Sequence, residues 1–180
     1  METDGLIDFI AEAGRLKKLP RTGWVESSIP DPESVADHSF RVALIAMILS
    51  DVQRLDTIKV VRMALLHDLA EAETGDLTPR QKGADIESFK LAEDAVMVRL
   101  LEKLPEAIRG EYRLAWREFF EVSTEEARLV RGADKLEMIM QASEYQQEMG
   151  DPGKLMRFRH VSVEGDLEKE LVEEIKRRMG

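Results

Sequence analysis

Val60-Val61-Arg62-Met63-Ala64-Leu65-Leu66-His67-Asp68-Leu69-Ala70-Glu71-Ala72-Glu73-Thr74-Gly75-Asp76 decides the reading of this sequence. The dense apolar run at its start predicts a helix buried on most sides, opening near Asp56 or Thr57 and closing near Gly75. His67 and Asp68 stand side by side in the C-terminal half of that helix. Consecutive helical residues diverge by about 100°, so both reach one ion only if it sits in the wedge between them. Other helices must then supply further ligands. Glu71 falls on the same side of the helix, placed to bond a water beside the ion without being a ligand. Asp76 follows the helix end, where a loop carboxylate can meet a substrate hydroxyl.

Working outward, the periodicity stays helical nearly everywhere. Leu6, Phe9, Ile10, Ala13 and Leu16 fall at helical spacing, with Asp4 as the expected cap. Residues 20–33 hold three of the six prolines and read as an ordered loop or extended link. Ser34 opens a second helix in a capping box with Asp37, and Phe40, Leu44, Ile45, Ile48 and Leu49 follow as its apolar positions. Downstream, helices fit residues 85–103 and 105–121, with Pro105 suited to a first helical position. Ser123 with Glu126 signals the start of a long helix ending near Met149, stopped by Gly150-Asp151-Pro152-Gly153. A last amphipathic helix covers about 163–179. With no sustained strand alternation, the expectation is an all-α fold: a single-domain helical bundle of about six to eight helices over residues 1–180.

Composition narrows the chemistry. The 180 residues contain no cysteine, so any metal is held by nitrogen and oxygen ligands. A net charge of −10 argues against a nucleic-acid polymer as partner, since that needs a basic face. It leaves room for one small phosphorylated ligand held by a metal and a few local cations. No signal peptide or membrane span is expected, which makes the cytoplasm the expected address.

The chain has only three histidines, so their placement is informative. His38, early in the second helix, and Asp134, within the long one, are well suited to complete a site with His67 and Asp68. That set suits one divalent ion (Mn²⁺, Co²⁺, Mg²⁺, Ni²⁺, Fe²⁺ or Zn²⁺) without singling one out. His160, the remaining histidine, is expected to be a surface or packing residue. Trp24 has two readings, a base-stacking platform or a core plug. Glu137 reads equally as support for the site or as a surface salt bridge, and the cations from Arg15 to Arg21 as a solvated helix end or phosphate contacts. Tyr112, Trp116, Phe119 and Phe120 read as core or subunit interface.

Taken together, Arg21-Thr22-Gly23-Trp24, Glu33-Ser34-Val35-Ala36-Asp37-His38-Ser39, His67-Asp68-Leu69-Ala70-Glu71, Gly75-Asp76 and Ala133-Asp134-Lys135-Leu136-Glu137 resemble the HD-domain superfamily of metal-dependent phosphohydrolases, with its H…HD…D signature. Within it the chain is similar to the 5'-deoxynucleotidase branch, over a motif-bearing core of about 19–145. The resemblance implies that His38, His67, Asp68 and Asp134 bind the metal and that Glu71 handles the attacking water. It also implies that Asp76 meets the sugar, that Arg21 lies near the phosphate, and that the protein is a homodimer. Asp37 stands where relatives often have Glu, and Thr22 and Gly23 separate Arg21 from Trp24, which adjoin in some relatives.

Three functions compete at this stage. The first is a 5'-nucleotidase acting on deoxyribonucleoside monophosphates, with Glu71 as proton acceptor and Arg21, helped by Lys17 or Lys18, facing the phosphate. The second is another HD hydrolase, acting on nucleoside triphosphates or guanosine polyphosphate alarmones. The third is a non-catalytic helical module stapled by metal.

Overall fold

The computed structural model describes residues 2–83, 85–150, 155–159 and 161–179. In chain order its elements are α1 (Glu2–Arg15), a 3-10 turn (Leu16–Lys18), α2 (Thr22–Glu26), α3 (Val35–Gln53), α4 (Thr57–Leu66) and α5 (Glu71–Thr74). Then come α6 (Pro79–Lys82), α7 (Ile86–Leu101), α8 (Glu106–Glu121), α9 (Glu125–Met149), α10 (Met156–Arg159) and α11 (Asp166–Met179). Seven of these helices have ten or more residues, which agrees with the expected all-α bundle. Among the described residues the one β pairing is an isolated bridge between Pro20 and Ser34.

Short polar side chains set where the helices begin. Ser34 and Asp37 form the expected capping box at the head of α3, and Asp56 caps α4 by accepting the Lys59 N–H. Each cap of this kind contributes about 1 kcal/mol. A box missed in the sequence, Thr78 with Gln81, opens the short α6. Other boundaries shift slightly. Asp4 lies inside α1 rather than capping it, Pro105 is the cap of α8 rather than its first residue, and Thr124, not Ser123, caps α9. Gly150 closes α9 in the left-handed conformation with φ 66°; the rest of that stop signal, and His160, lie outside the described residues. The last helix starts at Asp166, not at Val163, which is buried ahead of it.

The segment 20–33 is not all loop. It carries α2, whose first N–H, from Thr22, is received by the Asp76 carboxylate at 2.5 Å. Backbone bonds from Arg21 to Glu33 and from Val35 to Leu19 tie the segment across the head of α3.

Two large apolar clusters fill the bundle. One joins α3, α4, α9 and α11 around Val42, Val60, Met63, Ile139 and Val172; the other gathers Leu66, Leu69, Met97, Leu101 and Trp116 beneath α1, α7 and α8. The apolar positions expected on α3 divide. Leu49 is buried, whereas Phe40, Leu44 and Ile48 are 70%, 42% and 52% exposed, and the smaller Val42 and Ala46 fill the core instead. Helix α3 is apolar on both faces, so periodicity alone does not select the inner one. Ile10 of α1 likewise faces outward. No helix among the described residues is long and apolar enough to cross a membrane.

Candidate metal centre

The helix expected to run through to Gly75 is broken where the chemistry sits. After α4 ends at Leu66, the N–H groups of Leu69, Glu71 and Ala72 bond carbonyls three residues back, and α5 begins only at Glu71. Winding at about three residues per turn eclipses positions three apart, which stacks Glu71 over Asp68. Gly75 then turns the chain with φ 78° and ψ 156°, a region essentially closed to other residues, and Asp76 comes back toward α2.

Three helices converge on this elbow. His38 Nε2 lies 3.4 Å from His67 Nε2, 3.3 Å from Asp134 Oδ1 and 3.6 Å from Asp68 Oδ2. His67 Nε2 is 3.1 Å from the same Asp68 oxygen. Donor atoms of His38, His67 and Asp134 all lie within 4.8 Å of one another, close enough to share one ion. The four residues singled out as ligands are thus brought together from α3, the elbow and α9.

Each histidine is anchored through Nδ1, which turns its Nε2 toward that point. His67 Nδ1 is 2.7 Å from the Ala64 carbonyl, which can only accept, so the proton resides on Nδ1. His38 Nδ1 donates to Glu137 Oε2 at 2.5 Å. Glu137 is fully buried, and its other oxygen accepts from Arg41 Nε at 2.9 Å. Of the two sequence readings of Glu137, the structure selects support of the site. A carboxylate behind a ligating histidine fixes the ring and raises its basicity. Arg41, which also pairs with Glu144, escaped the sequence reading.

Electrostatics mark the same point as a cation site. Burial and Arg21 oppose charge on His38, but hydrogen bonds to Asp134 and Glu137 outweigh them and push its pKa up to about 10. An ion there would supply the positive charge in place of that proton. Burial tends to raise Asp68, yet His67, Arg21 and His38 together hold it far below the usual carboxylate range. For Asp134 burial is likewise outweighed, by His38 and then His67, and its pKa falls. Glu71 is the opposite case. Burial, reinforced by Asp68 and Asp76, pushes it well above the ordinary glutamate range, and its buried Oε2 has no hydrogen-bond partner among the described residues. Burial also raises Glu33, with Glu137 adding to it, to about 7.

Arg21 reaches the centre. Its Nη1 lies 3.2 Å from Asp68 Oδ2 and 3.9 Å from Asp76 Oδ1. Lys17 and Lys18 are exposed on the 3-10 turn. Trp24 corrects the base-stacking expectation: it is 2% exposed, rests against Tyr145 and Phe158, and donates its indole N–H to Glu33. Of its two readings, the core plug holds. The aromatic group on α8 is mainly core, with Trp116 buried and bonded to Asp94. It also has a use the sequence did not reveal, because Trp116, Phe119 and Phe120 wall a cavity of about 270 Å³ whose other side is His67, Asp68, Glu71 and Asp134. Lys82, Lys90 and Arg131 line the same cavity, while Arg21 and Asp76 do not.

A site of two imidazoles and two carboxylates, with an unpaired buried acid beside it, fits a divalent first-row ion and leaves a carboxylate poised over it. Similarity to known proteins agrees. Residues 13–176 match the sequence profile of the HD domain family. A mouse protein named 5'-deoxynucleotidase HDDC2 is 42% identical over 154 residues, spanning 86% of this chain and 76% of the mouse protein. Its Danio rerio counterpart is 40% identical over 162 residues, covering 90% and 80% of the two chains. Among solved structures, a conserved hypothetical protein from Pyrococcus furiosus superposes with a TM-score of 0.75 at 36% identity, over 95% of this chain and 99% of that one. By its matched profile, by relatives of this identity and coverage, and by its histidine–aspartate centre, this chain belongs to the HD domain family.

Proposed function

We propose that this chain is a metal-dependent phosphomonoesterase that hydrolyses deoxyribonucleoside 5'-monophosphates to deoxynucleoside and phosphate, acting in the cytoplasm. The observation that carries it is the buried, unpartnered Glu71 oxygen beside four convergent ligand side chains. A structural metal staple needs no such acid, which removes the non-catalytic reading. The names of the mouse and Danio rerio relatives favour monophosphates over triphosphates or alarmones as substrates.

In this reading His38, His67, Asp68 and Asp134 hold one divalent ion. When bound, that ion supplies Lewis acidity toward a phosphoryl oxygen and acidifies water. Glu71 Oε2 accepts the proton of the attacking water, a task suited to a carboxylate whose affinity for protons is raised by burial. Arg21 sits beside the phosphate and bridges Asp68 to Asp76, coupling the ligand to the sugar-side acid. Asp76 Oδ2 is held by Thr22, which leaves Oδ1 to meet the sugar in this reading.

The test is a screen of metal-stripped protein against deoxy- and ribonucleoside monophosphates with Mn²⁺, Co²⁺ or Mg²⁺ restored. Phosphate release that requires the ion and prefers deoxynucleotides is expected, and Asp76→Ala should blunt that preference. Turnover without metal, or exclusive action on triphosphates, would refute the reading.

The protein works as a homodimer in this proposal. The surface expected for it near Trp116 is mostly interior, and the exposed face of α3 replaces it. Phe40, Leu44, Met47, Ile48 and Val52 recur there at helical spacing and are all exposed, a stripe of the kind that marks an interface, and one helix stripe can pair with its own copy about a two-fold axis. Ile48→Glu should convert a dimer to a monomer in light scattering. An unchanged mass for this variant would place the interface elsewhere.

A further inference from the structure

Two arginines lie close to the metal centre, and they are not equivalent. Arg21 is engaged by two carboxylates, Asp68 and Asp76. Arg131 has no carboxylate within 4.0 Å among the described residues, in a chain with 36 acidic residues against 26 basic ones. Its guanidinium lies over the Phe119 ring, 5.0 Å from the centroid. Its one hydrogen bond there is a long one, from Nη2 to the Phe119 carbonyl at 3.5 Å. Its Nε is buried and has no hydrogen-bond partner among the described residues.

Position makes this vacancy informative. Arg131 precedes Asp134 by three residues on α9, so the two side chains share one face of that helix. It lines the 270 Å³ cavity beside His67, Asp68 and Glu71. It also borders a second cavity of about 580 Å³, where the cations Arg128 and Lys135 stand among the acids Glu125, Asp134, Glu164 and Glu168. The Phe119 ring, itself edge-on to His67 at 6.2 Å, supports the guanidinium plane. Stacking of this kind keeps the fork oriented while leaving its N–H donors free.

An arginine fork that makes one long hydrogen bond and lines a cavity is open to an acceptor from that side. The acceptor that matches its charge and fork geometry is a phosphoryl or carboxylate anion. We propose that Arg131 is a substrate-binding residue of this centre, receiving a phosphoryl oxygen from the cavity side, where Arg21 does not reach. The inference rests on the phosphomonoesterase reading above. It leaves Arg21 beside the phosphate, bridging Asp68 to Asp76, and gives Arg131 the further task of holding the phosphoryl group and the released phosphate from the cavity side.

The experiment uses the metal-loaded protein and inorganic phosphate as probe. Arg131→Met keeps an apolar stem against Phe119 and removes the charge. It should weaken phosphate binding in calorimetry about ten- to a hundred-fold, the range for a hydrogen bond to a charged group. The KM for a deoxynucleoside monophosphate should rise in parallel, with a smaller change in kcat, while affinity for the metal does not fall. Arg131→Lys should recover part of the phosphate affinity, because it restores the charge without the fork.

Phosphate binding within twofold of the parent in Arg131→Met overturns the assignment. So does a matching loss of metal affinity, which would make Arg131 a support for Asp134. Should Arg131→Met not fold, Arg131→Gln gives the same reading. Calorimetry keeps the two proposals separable: a parent protein that turns over no monophosphate yet binds phosphate through Arg131 fails only the nucleotidase reading. Normal turnover and phosphate binding in the Arg131 variants fail only this one.

Discussion

The two halves of the metal centre are built by different means. On the α3–α9 side, His38 is held by side chains, with its Nδ1 bonded to the buried Glu137 and Glu137 in turn clamped by Arg41. On the elbow side, His67 is held by a main-chain carbonyl, and Asp68, Glu71 and Asp76 owe their directions to a broken helix and a glycine turn. A side-chain network can be dismantled by one substitution remote from the ion. A backbone frame yields only to changes that alter the path of the chain. In the proposed reading, the first half is where metal affinity is adjustable, and the second is where the reacting groups are fixed.

The largest effect expected of this contrast is on turnover at the elbow. Glu71→Gln should lower kcat about a hundred- to ten-thousand-fold, the usual worth of a positioned general base, while calorimetry finds metal binding intact. Loss of the metal in this variant would place Glu71 among the ligands and blur the contrast. The opposite signature is expected across the site. Glu137→Gln should weaken metal affinity about 10–100-fold, with turnover restored by excess metal. If added metal does not restore it, Glu137 acts on more than the orientation of His38. The smallest effect concerns the frame itself. Gly75→Ala meets no steric obstacle, since nothing lies within 4 Å of the added Cβ, but it must occupy φ 78°. That strain should cost about 1–3 kcal/mol of stability in thermal unfolding, and Asp76 should lose some of its hold on deoxyribose selectivity.

Much of the centre was legible in the sequence because its signals are local. Ser34 and Asp56 announce where α3 and α4 begin, and the rarity of histidine isolates His38 and His67. The acids at positions 68, 71 and 76 follow within one short stretch. What was misread has a common cause. Phe40, Leu44 and Ile48 are as apolar as any core set, and Trp24 is as suited to a base as to a core. In both cases the outcome depended on which neighbour arrived. The continuous helix expected through Gly75 stops at Leu66, where the apolar run ends, and the tighter winding of Leu69, Glu71 and Ala72 takes over.

The amino-acid sequence alone set the all-helical class, the caps of α3 and α4, the absence of thiolate chemistry and the identity of four ligand candidates with an acid beside them. Those follow from residue type and short-range spacing, which the chain carries wherever it folds. Only the tertiary structure decided that Glu137, 99 positions from His38, stands behind its ring. It alone decided that Trp24 is a plug, that α3 turns Phe40, Leu44 and Ile48 outward, and that Arg131 is a half-buried cation with no acid beside it among the described residues. Each of those is a meeting of surfaces far apart in the chain, set by how whole helices share volume, and no local pattern encodes which of several compatible surfaces will meet.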